Sequence, residues 1–340
     1  MRKFLIALIL LLGIYFVFSR FTEMQSVAAT LQRGDIRFIL AAVLLVFVWF
    51  VNIATTYRAA YEIVGEDEKI SRLLLLSLSA FSVNVIAPVA GMSGIALFVT
   101  DGREHGHSTA RITVATALYI LFDYAGFLVV LTLGLAVLAR RNQLGWAEIS
   151  ASIILVAVAL GITALLYLGA RSEQALEKVL VTSARVINKV VRVFIRRDYL
   201  STDRAISFAN EASEGLSALR KSPSNWIKPL ILAINSKAIL IVILTMTFLA
   251  FRTPFTIGTL IAGFSIGYLF LIVSPTPSGI GMVEGIMTLS LTSLNVPLEA
   301  AAIIVMAYRG ITFWIPLVAG MIAFRFYSAS NKIPAGTPAK

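Results

Sequence analysis

Apolar residues gather in runs near twenty residues long at about 4–19, 38–58, 112–138, 149–170, 227–250, 255–274 and 299–325. That is the length a helix needs to cross the hydrocarbon of a bilayer. The strands of a membrane barrel would alternate apolar and polar at every second residue, and these runs do not. The pattern predicts an all-α fold, a polytopic integral membrane helix bundle of about seven or eight spans. The run at 4–19 follows Met1, Arg2 and Lys3 as in a secretory signal. No small-x-small site follows it at Ser19, Arg20 and Phe21, so it reads as an uncleaved first span.

Two apolar stretches are interrupted. Residues 73–100 carry Asn84, Pro88, Gly91 and Gly94 at their centre, and the run at 255–274 leads into Pro275, Pro277, Gly279 and Gly281. Proline removes a helix hydrogen bond and glycine loosens the backbone, so neither stretch is expected to be one straight helix. Unsatisfied backbone in hydrocarbon costs several kcal/mol per group, which requires both breaks to lie inside protein or against a wet cavity.

Charge adds direction. Only 14% of the residues are charged and 58% are apolar, against roughly a quarter charged in a soluble domain. The net charge of +11 comes mainly from Lys and Arg between the apolar runs, where they mark the cytoplasmic side and meet anionic lipid. Nucleic acid is not an expected partner. Residues 171–221 hold ten Lys or Arg, which places this interval in the cytoplasm together with the N-terminus of an inner-membrane protein. An even number of crossings must then separate the two, and the runs at 4–19, 38–58, 112–138 and 149–170 supply four. The 28 residues of 73–100 are too few for two more crossings, so they are expected to enter and return as a re-entrant hairpin. Arg185, Lys189, Arg192 and Arg196 share a helical stripe that fits either a helix lying on the anionic leaflet or a solvated cap on the bundle. Trp49, Trp146 and Trp226 read as head-group anchors near span ends or flanks. The expected organisation is one transmembrane domain over 1–326, with 171–221 between its halves, and a disordered tail over 327–340.

The breaks belong to a repeat. After the first come a polar loop at 101–107, an N-cap at Ser108 and a span holding Tyr119 and Asp123; after the second come Asn295, Pro297 and Glu299, then a span holding Tyr308 and Arg309. Paired broken segments in two halves point to a transport site at the repeat interface. The block Pro275-Thr276-Pro277-Ser278-Gly279-Ile280-Gly281-Met282-Val283-Glu284, with Asn295, Pro297, Tyr308, Arg309, Trp314, Pro316 and Gly320 after it, resembles the membrane region of lysylphosphatidylglycerol synthases, the multiple peptide resistance factors, and their free-standing flippase-like relatives. Asn84, Pro88, Gly91, Gly94, Ser108, Tyr119 and Asp123 carry the resemblance into the first half. The chain departs from it at Ala90 and Ile120, where many relatives have arginine, which leaves the head group open. The family's aminoacyl transfer belongs to a soluble domain that these residues do not contain, so no enzymatic activity is expected.

The chemistry available inside the spans is ionic. Asp123, Lys237, Glu284 and Arg309 each cost about 2.5–3.5 kcal/mol at a helix centre, so they should face inward and pair. Should Glu284 and Arg309 pair, a lipid phosphate can compete for Arg309 while the backbone N–H groups of Gly279 and Gly281 bind its oxygens, as helix starts do for anions. The plainer alternative is that all four charges hold the bundle together. Asn52, Asn84 and Asn235 suit interhelical hydrogen bonds. The chain has no cysteine, and His105 and His107 sit in a short loop without metal-site spacing, so no cofactor or metal is expected. The leading expectation is a flippase-like protein that translocates or binds an anionic phospholipid or lipid-linked head group at Asn84, Pro88, Gly91, Asp123, Lys237, Pro277, Gly279, Gly281, Glu284, Tyr308 and Arg309. A small-solute secondary transporter, or a non-transporting partner of a separate lipid-modifying or glycosyl-transferring enzyme, are the alternatives.

Overall fold

The computed structural model describes residues 21–86, 92–182, 202–221, 226–274 and 276–330, and among them it contains helices and no strands. In chain order the helices are α1 (Phe21–Arg33), α2 (Ile36–Ile63), α3 (Ile70–Ile86), α4 (Met92–Glu104), α5 (Thr109–Arg140), α6 (Trp146–Arg171), α7 (Thr202–Lys221), α8 (Ile227–Ala250), α9 (Ile257–Val273), α10 (Met282–Ser293), α11 (Leu298–Arg309) and α12 (Ile315–Ser330). A π-helical turn, Gly310–Trp314, joins the last two. Among the described residues, five segments are long and apolar enough to cross a membrane: α2, α5, α6, α8 and the continuous run through α11 and α12. Their outer faces are apolar, with Leu40, Leu44 and Phe47 on α2 and Ile153, Ile154 and Leu160 on α6 exposed. Apolar faces on this scale need lipid to cover them. The protein is a multi-pass, membrane-embedded helix bundle. The expected first span at 4–19 and the basic stripe at Arg185, Lys189, Arg192 and Arg196 lie outside the described residues.

Helix starts are fixed by side chains that accept otherwise orphaned backbone N–H groups. Asp35 Oδ1 accepts from Arg37 N at 3.0 Å, Ser108 Oγ from Arg111 N at 3.3 Å and Thr256 Oγ1 from Thr259 N at 3.1 Å.

Contacts between chain ends define the topology. Glu62 in the last turn of α2 reaches Lys228 in the first turn of α8, and Arg111 at the start of α5 reaches Glu214 on α7, so these ends lie together with the described end of the basic interval. At the other end, Asp35 N donates to Ala250 O and Arg141 donates to Leu294 O and Thr256 Oγ1. Helices α3 and α4 form a hairpin that opens at the basic-interval end. Arg72, near its start, bonds Asp101, near its finish, at 2.6 Å and 2.9 Å, and at its tip Gly94 N donates to Asn84 Oδ1 at 2.7 Å. The turn itself, with Pro88 and Gly91, lies outside the described residues.

The run at 255–274, expected to be a span, forms one arm of a second hairpin. With 17 residues, α9 reaches about 25 Å, short of the ~30 Å of hydrocarbon. Helix α10 then runs back along it, with Leu291 against Gly263 and Met287 against Gly267. The small residues four apart on α9 let the arms approach closely. This hairpin opens at the end opposite to the first, so the halves are an inverted repeat: α2, hairpin and α5 in one, α8, hairpin and α11–α12 in the other. Helices α2 and α8 form the seam, where Asn52 Nδ2 donates to Leu232 O, Asn235 Nδ2 to Asn52 Oδ1, and Trp49 Nε1 to Ser236 Oγ, all at 2.8–2.9 Å. Trp49 is therefore no head-group anchor: a partner for its indole N–H holds it inside the bundle. Trp146 and Trp226 are exposed at helix starts. Helix α12 continues through Ser330, so residues 327–330 of the expected tail are helical; 331–340 lie outside the described residues.

The chain has no native cysteine, which makes this topology testable. Cysteines at Asp67 and Glu104 should react with a membrane-impermeant maleimide from one side, and cysteines at Arg252 and Asn295 from the other. Labelling of Asp67→Cys and Glu104→Cys from opposite sides would refute the first hairpin.

Candidate functional site

The two hairpin tips meet at a cavity of about 270 Å³, walled by Asn84 from the first, Ser278 from the second, Trp49, Tyr268, Tyr308 and Arg309, with Phe81, Phe264 and Phe313 among its apolar walls. Most of this wall is aromatic or aliphatic, and Arg309 is the cation on it.

Arg309 ends α11 with its side chain only 7% accessible, and it is held on three sides. Its Nε donates to Glu284 Oε1 at 2.7 Å, its Nη2 donates to Ser278 O at 2.9 Å, and the guanidinium lies 4.7 Å from the centre of the Phe313 ring. These bonds use two of the five guanidinium N–H donors. Glu284 reaches both ways: its Oε2 accepts from Gly281 N at 2.7 Å, at the start of α10. The expected role of Gly279 and Gly281 as open N–H donors is thereby corrected. Gly279 N already donates to Thr276 O at 3.0 Å and Gly281 N to the Glu284 carboxylate. One carboxylate occupies the place that an anionic ligand would take at a helix start and an arginine.

The turn that delivers the Ser278 carbonyl needs left-handed backbone, with φ of 51° at Ser278, 71° at Gly279 and 79° at Gly281. A Cβ on Gly279 would also overlap Val283. Gly279→Ala should cost about 1–2 kcal/mol from backbone strain alone, read as a lower unfolding temperature in detergent. An unchanged temperature would show that the turn can relax. Pro277 lies in the same turn, Pro277–Gly279.

A second ionic cluster lies behind Tyr268. Lys237 on α8, 1% accessible, donates to Asp123 Oδ1 on α5 at 2.5 Å and to the Tyr268 hydroxyl on α9 at 2.6 Å. Tyr268 in turn donates to Asp123 Oδ2 at 3.1 Å, closing a triangle. One turn before Asp123, Tyr119 stacks on Tyr57 with ring centres 3.8 Å apart, and Tyr57 stacks on Phe98 of the first hairpin at 4.3 Å. The four membrane charges thus form two separate pairs. His105 and His107 belong to neither: His105 approaches Arg72 and Asp101, and His107 bonds Glu66 at 2.5 Å, at the open base of the first hairpin.

Sequence patterns singled out Asn84, Tyr308 and Arg309, which share the cavity wall, and Glu284, which holds Arg309 from beside it. They missed Trp49, Tyr268 and Ser278. An indole and a phenol in mid-run were the available signal for the first two; Ser278 contributes its backbone carbonyl, which leaves no mark in side-chain chemistry.

A family model described as the lysylphosphatidylglycerol synthase TM region matches residues 4–320. No curated protein matches the chain.

Proposed function

The chain belongs to the lysylphosphatidylglycerol synthase transmembrane-region family, and from that premise we propose that it translocates an anionic phospholipid or lipid-linked head group between leaflets and performs no covalent chemistry. The two hairpins act as re-entrant segments, one from each face. The head group passes between their tips while its acyl chains stay in hydrocarbon. The excess of Lys and Arg in 171–221 supports a cytoplasmic position for that end, in a cell's inner membrane.

The observation that carries this reading is the bound position of Glu284. Its carboxylate bridges Arg309 Nε and Gly281 N at the edge of the cavity, and it keeps 34% of its side chain accessible. A lipid phosphate offers the same oxygens with the same charge. It can displace Glu284 from Arg309, and the released carboxylate has accessible surface to turn to. A volume of about 270 Å³ suits a head group rather than a whole lipid.

Reconstitution tests the reading. Vesicles holding the protein should move fluorescent phosphatidylglycerol between leaflets faster than protein-free vesicles, with phosphatidylcholine slower. Glu284→Gln removes the built-in competitor and should tighten retention of phosphatidylglycerol about tenfold, the worth of one charge-assisted hydrogen bond. Movement at the protein-free rate for every lipid tried would end the proposal.

A further inference from the structure

Most polar groups on the cavity wall already have partners within the protein, and the few that do not are neutral apart from Arg309. We propose that the cavity selects a lipid phosphodiester whose outer group carries free hydroxyls and no amine, with the Tyr308 hydroxyl and the Asn84 amide binding those hydroxyls while Arg309 holds the phosphate. This rests on the lipid-translocation reading above and narrows its substrate.

Hydrogen-bond accounting makes the argument. Trp49 Nε1 donates to Ser236 Oγ, Thr312 Oγ1 to Tyr308 O and the Tyr268 hydroxyl to Asp123, while the Ser278 carbonyl accepts from Arg309. Among the described residues nothing bonds the Tyr308 hydroxyl, which keeps accessible surface although the residue is only 7% accessible. A hydroxyl so enclosed is costly without a partner, and Tyr308 stands on the cavity wall. The Asn84 amide has a fixed orientation, because its Oδ1 accepts from Gly94 N at 2.7 Å. Its Nδ2 is left with two N–H groups and no acceptor among the described residues. Ser278 adds a hydroxyl to the same wall. Neutral groups of this kind suit a polyol, each of whose hydroxyls both donates and accepts.

An ammonium finds no such match. Among the described residues the wall carries no carboxylate; Asp123 and Glu284 stand outside it, bound to Lys237 and Arg309. When a phosphate frees Glu284 from Arg309, the carboxylate retains Gly281 N as a partner. Aromatic rings on the wall could hold a cation against their faces, but the protein's own cations already use two of them. Arg309 lies 4.7 Å from the centre of the Phe313 ring and Lys237 lies 4.1 Å from that of Tyr268. An amine on the head group would therefore meet two like charges in a low-dielectric interior.

The test is binding of three dioctanoyl lipids to the full chain in detergent: phosphatidylglycerol, phosphatidylpropanol, which has the same charge and no free hydroxyl, and phosphatidylethanolamine. Phosphatidylglycerol should bind about tenfold more tightly than phosphatidylpropanol, whose propyl group leaves Tyr308 and Asn84 unpaired. It should exceed phosphatidylethanolamine by about tenfold or more. Tyr308→Phe removes a hydroxyl that holds nothing in the fold. It should unfold at the wild-type temperature and cut the preference over phosphatidylpropanol to about threefold or less; a merely structural lesion would weaken both lipids alike and leave their ratio unchanged. Equal wild-type affinities for phosphatidylglycerol and phosphatidylpropanol, a ratio that survives in Tyr308→Phe, or phosphatidylethanolamine bound as tightly as phosphatidylglycerol would each overturn the hydroxyl selectivity and leave translocation of a lipid head group standing. Glycerophosphoglycerol, the same diester without acyl chains, should fail to compete. If it competes as well as the lipid, the hydroxyl selectivity holds and the lipid as its source does not. No saturable binding of any of the three lipids would overturn both.

Discussion

Lys237→Met should destabilise the protein by about 3–5 kcal/mol, the usual cost of removing one partner from a buried ion pair. Lys237 is 1% and Asp123 15% accessible, so the carboxylate left behind has little water to turn to. It would keep one weak partner, the Tyr268 hydroxyl at 3.1 Å. The double variant Asp123→Asn/Lys237→Met should recover most of the loss, because replacing a whole buried pair with neutral side chains of similar size is often close to neutral. Thermal unfolding in detergent, followed by tryptophan fluorescence, measures both variants. A single variant as stable as the wild type would mean that Asp123 is not held as a buried anion.

Five of the expected spans and the second break were legible in the sequence because they rest on local rules. Hydrocarbon demands long apolar helices, and Pro277, Gly279 and Gly281 cannot sit in one. The Glu284 and Arg309 pairing was legible for a related reason, since charges in hydrocarbon must find each other. Tertiary contacts decided the rest. Whether residues 257–273 cross or return depends on Leu291 and Met287 packing onto Gly263 and Gly267, a pairing that no local pattern encodes. Gly279 and Gly281 looked like free donors because the sequence cannot show that Glu284 folds back onto Gly281 N. Trp49 looked like a membrane anchor until Ser236, on a helix almost two hundred positions away, supplied the acceptor for its indole. Tyr268 was passed over because an apolar run with one phenol resembles any other; its role comes from Lys237 and Asp123 closing around its hydroxyl.

Arg309→Ala should reduce phosphatidylglycerol movement to the protein-free rate while costing far less stability than Lys237→Met. The two cations have the same kind of partner in different surroundings. Lys237 is sealed with Asp123, whereas Glu284 keeps 34% of its side chain accessible and a second bond to Gly281 N. Losing Arg309 therefore strands no carboxylate in the dark. It does remove the cation from the cavity wall and the donor that fastens the Ser278 carbonyl at the tip of the second hairpin. Arg309→Lys separates these effects. An ammonium keeps the charge, but as a point charge it cannot reproduce the planar fork that meets Glu284 and Ser278 together. Arg309→Lys should retain phosphatidylglycerol within about tenfold of the wild-type affinity, one charge-assisted bond being lost, yet move it more slowly because the tip is no longer tied to the anion site. If Arg309→Ala still moves phosphatidylglycerol at the wild-type rate, the anion does not travel past this arginine, and the joined hairpin tips serve only to hold the bundle closed.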